Sequence, residues 1–186
     1  MKKLRRQGRM HCVMGALLVF VATAAFPAER VSGVVKAQTL LASDSVHPGS
    51  AVRLAVLAQI ALGFHINDHH PSLDYLIPTQ VTFDNFAGLK AGQVVYPKGR
   101  LRKFAFVDSP ISVYEGEIRI GAKFEVARSL RPGTYNLHGK LSYQACNDHA
   151  CLAPVSIPLE AVIRVVRNGV PVKPLHSEVF EKIDFN

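Results

Sequence analysis

Residues 141–154 have the sequence Leu141-Ser-Tyr-Gln-Ala-Cys-Asn-Asp-His-Ala-Cys-Leu-Ala-Pro154, in which four residues separate two cysteines. Hydrophobic and polar side chains alternate over Tyr135–Ala145, before the first cysteine, and over Val155–Val165, after the second. A period of two is typical of β-strands with one buried face. The pattern therefore predicts two strands joined by a loop, with Cys146 and Cys151 close enough for a disulfide to close that loop.

A disulfide between Cys146 and Cys151 would be a weak structural staple. In the chain-entropy model, closing a loop of about six residues stabilises a fold by only about 2 kcal/mol. The bridge of an immunoglobulin domain instead joins distant strands and packs on a tryptophan, and this sequence contains no tryptophan. The pair is therefore a local structural clip, a reactive dithiol or, with His149, part of a zinc or copper site. A closed zinc site requires four ligands, and these three residues supply only three.

Short alternating segments separated by glycine and proline continue through the chain, and no amphipathic helix of ten or more residues interrupts them. Seven or so strands at this spacing favour an all-β fold, an antiparallel β-sandwich forming a single domain. The tail Ser177–Ile183 is predicted to form one or two helical turns capped by Ser177. The predicted strands are Ala37–Ser43, Ala51–Ile60, Gln80–Phe86, Arg102–Val107, Glu117–Val126, Thr134–Ala145 and Val155–Val166.

The N-terminal segment is typical of a secretory signal peptide. Five basic residues within Lys2–Arg9 precede an apolar run over Val13–Phe26 that ends in small residues. The run is shorter than the about 20 residues of a membrane-spanning helix. We expect residues 1–25 to be removed during export to the periplasm, with an uncleaved anchor as the alternative. Cys12 leaves with the signal peptide, so one pair of cysteines remains in a compartment where disulfides persist.

The charge of the remaining chain excludes a nucleic-acid-binding surface. The whole sequence has a net charge of +8, from 22 basic and 14 acidic residues. Without the five basic residues of the signal peptide, the balance is 17 basic against 14 acidic residues. No basic stripe interleaved with aromatic residues is present, so we expect the surface charges to serve solvation and no nucleic acid to bind.

Two blocks of the sequence carry a resemblance to a known family. The first block is Tyr143-Gln-Ala-Cys-Asn-Asp-His-Ala-Cys-Leu-Ala-Pro154, which resembles the Tyr-Gln-x-Cys…Cys-x-x-Pro signature of the N-terminal periplasmic domain of the thiol:disulfide interchange protein DsbD. The second is Gly63-Phe-His-Ile-Asn67 followed by Leu76-Ile-Pro-Thr79, which is similar to a stretch of many homologues of that domain. The resemblance covers residues 38–166 and implies an immunoglobulin-like β-sandwich, followed by a C-terminal extension over residues 167–186.

The resemblance also implies a function for the two cysteines. In that family the pair cycles between disulfide and dithiol, so the resemblance makes Cys151 the sulfur that exchanges with a partner and Cys146 its resolving neighbour. The expected partners are thioredoxin-fold redox proteins, and a separate membrane protein would supply the electrons because this sequence has no Cys-x-x-Cys domain or multi-helix membrane domain. We expect no cofactor for this thiol:disulfide oxidoreductase chemistry.

Four further residues are candidates for supporting the cysteines. The family covers its cysteines with a mobile loop that carries an aromatic side chain, and the best counterpart here is Asp108–Gly116, with Tyr114. Phe64 and Tyr143 belong to the two family-like blocks. A protonated His149 would lower the pKa of a neighbouring thiol.

Two other functions are alternatives. One is a non-catalytic periplasmic binding or assembly domain in which the disulfide only closes a loop. The other is a metal-binding module using His149 and the segment from His65 to His70; we expect His65 itself to be a hydrogen-bonded structural residue. A hydrolase is not indicated, because the Gly-x-Ser-x-Gly motif is absent.

Overall fold

The computed structural model describes residues 33–104 and 107–185; the predicted signal peptide and Cys12 lie outside these ranges. The described residues belong to one compact unit. Within the described ranges, no helical segment has the length and apolar character that a membrane span requires. The elements in chain order are β1 (Val35–Leu41), β2 (Ala51–Ile60), β3 (His65–Asn67), β4 (Gln80–Phe83), β5 (Leu89–Val95), β6 (Arg100–Arg102), β7 (Ile111–Tyr114), β8 (Glu117–Val126), β9 (Gly133–Tyr143), β10 (Ala145–Cys146), β11 (Val155–Val165) and α1 (Ser177–Phe180).

The described strands form antiparallel sheets with the orders β1-β2-β8-β5, β11-β9-β4 and β10-β3-β7-β6. The longest ladder joins β9 to β11, from Gly133 opposite Val165 to Tyr143 opposite Val155. The third sheet contains short strands and carries Cys146 at the end of β10. This architecture confirms the predicted all-β, immunoglobulin-like antiparallel β-sandwich.

The core forms because alternate residues of the long strands point to the same side. Ile120 and Phe124 of β8 are buried in one hydrophobic cluster with Leu141 of β9 and Ile163 of β11. The rings of Phe83 and Phe124 meet edge to face at 5.1 Å between centroids. Burying a side chain of this size stabilises a fold by about 1.5–3 kcal/mol. The packed faces of the first two sheets therefore fix the end of β9, from which the cysteine loop leaves.

The C-terminal segment packs on the opposite face of the first sheet. Val179 and Phe180 form a second apolar cluster with Ala55, whose neighbours along β2 point into the main core. The predicted cap is wrong, because Ser177 is the first helical residue and the N-cap is His176, in the left-handed conformation without a side-chain capping bond. The extension thus covers a sheet face that would otherwise meet water.

The structure corrects the predicted strands in two ways. The predicted strand Arg102–Val107 is wrong, because β6 spans Arg100–Arg102 and Phe104 lies beyond its end. Three strands, β3, β5 and β7, fall outside the predicted ones, and β10 is a separate strand where the prediction has one long strand ending at Ala145. β3 is buried on both faces and so shows no alternation, while a register shift between Ala91 and Val94 interrupts the period in β5.

Candidate functional site

Cys146 and Cys151 form a disulfide at the neck of a short loop, with their Cα atoms 3.9 Å apart. The two residues also face each other as an isolated antiparallel bridge. Cys146 ends β10, and Cys151 precedes β11. The loop therefore lies where the strands of two sheets meet, as the alternation on both sides of the cysteines predicts.

Hydrogen bonds hold the loop in addition to the disulfide. The side-chain Oδ1 of Asn147 accepts bonds from the backbone N–H groups of His149 and Ala150, each at 2.9 Å. The N–H of Leu152 donates to the carbonyl of Ala145 at 2.8 Å, and the N–H of Asn147 donates to that of Ala150 at 3.0 Å. None of these bonds involves sulfur, so they hold the loop independently of the disulfide.

The two sulfur-bearing residues differ in exposure. Cys146 is 1% exposed, whereas Cys151 is an exposed residue. Thiol–disulfide exchange requires a thiolate to approach a sulfur atom directly. Of the two residues, Cys151 is therefore the one that is accessible to an incoming thiolate.

His65 is the cross-strand neighbour of Cys146, because β10 pairs with β3 in a register that places these two residues opposite each other. Directly opposed residues of an antiparallel pair project to the same face with Cβ atoms about 5 Å apart. The His65 ring is 3% exposed and stacks on Phe104 with 4.2 Å between ring centroids. Burial lowers the pKa of His65 from its ordinary value of 6.5, although the carboxylates of Glu115 and Asp148 oppose this shift.

The expectation that His65 is hydrogen-bonded is wrong for one of its two ring nitrogens. Its Nε2 is buried and has no hydrogen-bond partner among the described residues. A buried polar atom without a partner is uncommon in a folded protein, and many such atoms have a functional explanation.

A cavity of about 440 Å³ opens beside the cysteine loop. Phe64, His65 and Phe104 line this cavity together with Glu115 and with Asp148 of the cysteine loop. The structure thus brings the predicted residue Phe64 into the neighbourhood of the loop.

The other predicted supporting residues lie in different environments. Tyr143 ends β9 and is 3% exposed; burial raises the pKa of its hydroxyl, and a hydrogen bond from the backbone of Val35 opposes that shift. His149 is exposed in the cysteine loop, where its backbone N–H donates to Oδ1 of Asn147. Tyr143 therefore helps to fix the start of the cysteine segment.

The position of Tyr114 shows that the predicted cap loop is wrong. It lies in β7, pairs with Ile66 and is 2% exposed, so the stretch Asp108–Gly116 contains a buried strand. Its hydroxyl donates to Oδ1 of Asp68 at 2.7 Å. Burial raises the pKa of Tyr114 strongly, and the bond to Asp68 adds to this effect. Phe104 is the aromatic residue that contacts the neighbour of Cys146, and sequence reasoning missed it by placing it in a strand.

We expect Tyr114→Phe to destabilise the fold without slowing reduction of the disulfide. A hydrogen bond to a charged group contributes about 1.5–3 kcal/mol, and the variant loses the donor to Asp68. Burial would raise the pKa of Asp68, but hydrogen bonds from Ser112 and Tyr114 lower it below 3.8. This stabilisation is present above pH 3.8 and is lost as the pH falls through the lowered pKa.

Urea unfolding of the oxidised protein at neutral and at acidic pH measures this effect. The difference in unfolding free energy between wild type and Tyr114→Phe should become smaller at acidic pH. Tyr75 is 70% exposed, and Tyr75→Phe, the matched control, should change the unfolding free energy by less than about 0.5 kcal/mol. An equal, small change in both variants would contradict a structural role for Tyr114.

The histidine-rich segment is a hydrogen-bonded loop in this structure. One ring nitrogen of His69, Nδ1, lies 3.0 Å from the carbonyl oxygen of Thr79, and the ring stacks on Tyr96 at 3.7 Å. Among residues 33–104 and 107–185, no group of three or more His, Cys, Asp or Glu side chains is arranged to hold a metal ion.

Comparison with known proteins assigns most of the chain, including the cysteine loop, to a known family. A family model described as the N-terminal part of the thiol:disulfide interchange protein DsbD matches residues 36–158. Comparison with curated proteins gave no match.

Comparison with solved structures gave several matches of low sequence identity. The N-terminal periplasmic domain of ScsB from Proteus mirabilis superposes with a TM-score of 0.48 at 12% identity, over 68% of this chain and 45% of that chain. The reduced DsbD N-terminal domain of Neisseria meningitidis gives 0.41 at 15% identity, over 74% of this chain and 88% of that chain. The complex between the DsbD and PilB N-terminal domains of Neisseria meningitidis gives a TM-score of 0.41 at 19% identity, over 75% of this chain and 88% of that chain.

The family match extends from β1 into β11, so it includes both cysteines and the β3 segment opposite Cys146. It covers well over half of the sequence. The chain belongs to the family of the N-terminal domain of the thiol:disulfide interchange protein DsbD.

Proposed function

We propose that this protein is a periplasmic thiol:disulfide exchange module that relays reducing equivalents between thioredoxin-fold proteins. The observation that carries the proposal is the exposure of Cys151 next to the buried Cys146 within a loop that hydrogen bonds support independently of the disulfide. Family membership supports the same chemistry. Residues 1–25 would direct export, residues 38–166 would form the exchange domain and residues 167–186 its extension.

The proposed reaction begins when a thiolate of a reduced thioredoxin-fold protein attacks Sγ of Cys151. A new bond forms between the two proteins, the Cys146–Cys151 bond breaks, and Cys146 leaves as a thiolate with the electron pair. The second thiolate of the partner then attacks its own sulfur in the mixed disulfide and releases Cys151. The partner dithiol is oxidised to a disulfide, and this module gains two electrons and, from water, two protons.

The reverse sequence passes the electrons to a second partner. The Cys151 thiolate attacks the disulfide of that partner, and Cys146 then attacks Cys151 to release the reduced partner. In this proposal Phe64, Tyr143 and His149 support the loop during the cycle. A separate membrane electron-transfer protein would regenerate the first partner.

The reduction potential of the Cys146–Cys151 pair tests the proposal. Structural disulfides of secreted proteins have potentials below about −300 mV, whereas exposed, exchanging ones are more oxidising. We expect a potential above that threshold, together with stoichiometric reduction of the module by reduced thioredoxin. Equilibration in redox buffers, read by mass after alkylation, gives the potential. The double variant Cys146→Ser/Cys151→Ser is the control that should accept no electrons.

A potential below the structural threshold, with no reduction by thioredoxin, would contradict the relay. That result would favour the binding or assembly domain in which the disulfide only closes a loop.

A further inference from the structure

The buried Cys146 needs a means of losing a proton, and His65 is placed to supply it. This inference rests on the proposed exchange function. In the resolving step, Cys146 must become a thiolate before it attacks the mixed disulfide on Cys151. Burial disfavours the charged form of a thiol, and Cys146 is 1% exposed. An unaided Cys146 would therefore remain protonated and resolve slowly near neutral pH.

The environment of His65 suits a proton acceptor. The register of β3 and β10 places its side chain on the same face as that of Cys146. Its buried Nε2 has no hydrogen-bond partner among the described residues, so this nitrogen is free of any bond that a thiol would have to displace there. The stack on Phe104 orients the ring.

The charged groups around His65 determine what happens after it accepts the proton. Glu115 and Asp148 are the two carboxylates that act on the ring electrostatically, and both line the same cavity as His65. Arg102 also lines the cavity, but its guanidinium forms an ion pair with Glu115 at 2.7 Å. Burial keeps His65 neutral near pH 7, and the carboxylates stabilise the imidazolium that forms transiently. Proton transfer from a buried thiol therefore yields an ion pair rather than an isolated buried thiolate.

We propose that His65 accepts the proton of the Cys146 thiol when Cys146 resolves the mixed disulfide on Cys151. The proton moves from Cys146 Sγ to His65 Nε2, and the resulting thiolate attacks Cys151 Sγ. The bond between Cys146 and Cys151 forms, the bond between Cys151 and the partner breaks, and the partner leaves as a thiolate with the electron pair. The imidazolium then returns its proton to solvent. In the opposite direction, His65 takes up a proton from solvent and passes it to the Cys146 thiolate as the disulfide opens.

Ellman's reagent separates the two steps without any protein partner. When the reduced full-length chain, carrying Cys12→Ser so that Cys146 and Cys151 are its two thiols, reacts with an excess of this aromatic disulfide, attack by Cys151 releases the first coloured thiolate. Attack by Cys146 on the mixed disulfide releases the second. Stopped-flow absorbance should show that His65→Gln slows the second release by at least about tenfold, the lower part of the range for general base catalysis. The first release should keep its rate.

The matched control is His138→Gln, which alters an exposed histidine of β9 that lies 3.8 Å from Glu160. It should change neither release. In the wild type the rate of the second release should rise with pH and level off above the lowered pKa of His65, whereas in His65→Gln it should continue to rise into the alkaline range. An unchanged second release, or equal slowing of both releases, would overturn the proposal.

A measurement on the wild type keeps the proposal testable if His65→Gln does not fold. The ¹⁵N shifts of the His65 ring should change when the disulfide is reduced, because the Cys146 thiol then donates to Nε2. Unchanged shifts would also overturn the proposal. Failure of the relay itself is distinguishable, because it would leave both releases intact while thioredoxin fails to reduce the module.

Discussion

Cys146→Ser should accumulate a mixed disulfide with a thioredoxin-fold protein through Cys151. The exposed Cys151 still attacks a partner disulfide, but the sulfur that would release the partner is absent. Adducts from periplasmic extract, quenched with acid and separated without reductant, can be identified by mass spectrometry. We expect the main adducts to contain a Cys-x-x-Cys protein joined to Cys151.

Cys151→Ser is the matched control, because it retains one cysteine at the same loop. Its remaining thiol belongs to Cys146, which is only 1% exposed. This variant should therefore trap little or nothing. If the disulfide were only a structural clip, both variants would lose a similar stability of about 2 kcal/mol and neither would capture a partner. Equal trapping by the two variants would contradict the assignment of Cys151 as the exchanging sulfur.

Leu141→Ala should lower the free energy of unfolding by about 3–5 kcal/mol, in the upper part of the range for truncating a buried leucine. Leu141 is completely buried in β9, where it pairs with Val81 on one side and Ile157 on the other. Neighbours held in ladders on both sides have little freedom to fill the space, so a cavity should remain. Urea unfolding of the oxidised protein measures the loss.

Val162→Ala is the control for this prediction. Val162 lies on β11 and is 60% exposed, so its truncation should change the unfolding free energy by less than about 0.5 kcal/mol. A loss for Leu141→Ala as small as that of the control would show that the strand contributes little to the core.

The sequence predicted best those strands with one buried and one exposed face. The predicted bounds of β2 and β8 coincide with those observed, because buried residues alternate with exposed or half-buried ones at both ends of each strand, around a central run of three buried residues. β7 was missed because Tyr114 was assigned to a loop by analogy, although Ile111 and Val113 already alternate with Ser112. The analogy outweighed a short but genuine strand pattern.

The candidate site was predictable where its residues are close in sequence. Cys146 and Cys151 with their loop follow from spacing and from the strands on either side. The pairing of His65 with Cys146 depends instead on the register of two short strands far apart in the chain, which no local pattern specifies. The stack of Phe104 on His65 likewise depends on where the chain runs after β6.

The long β9–β11 ladder has a consequence for preparing recombinant fragments. The family match ends at residue 158, whereas β11 continues to Val165 and pairs with β9 throughout. A fragment truncated at the end of the match would expose most of one edge of β9 and discard the buried Leu159 and Ile163. Unpaired edges of this kind template aggregation between molecules. Soluble material for crystallisation or spectroscopy therefore requires a C-terminal boundary beyond the ladder, at a position that also retains Phe180 on the first sheet.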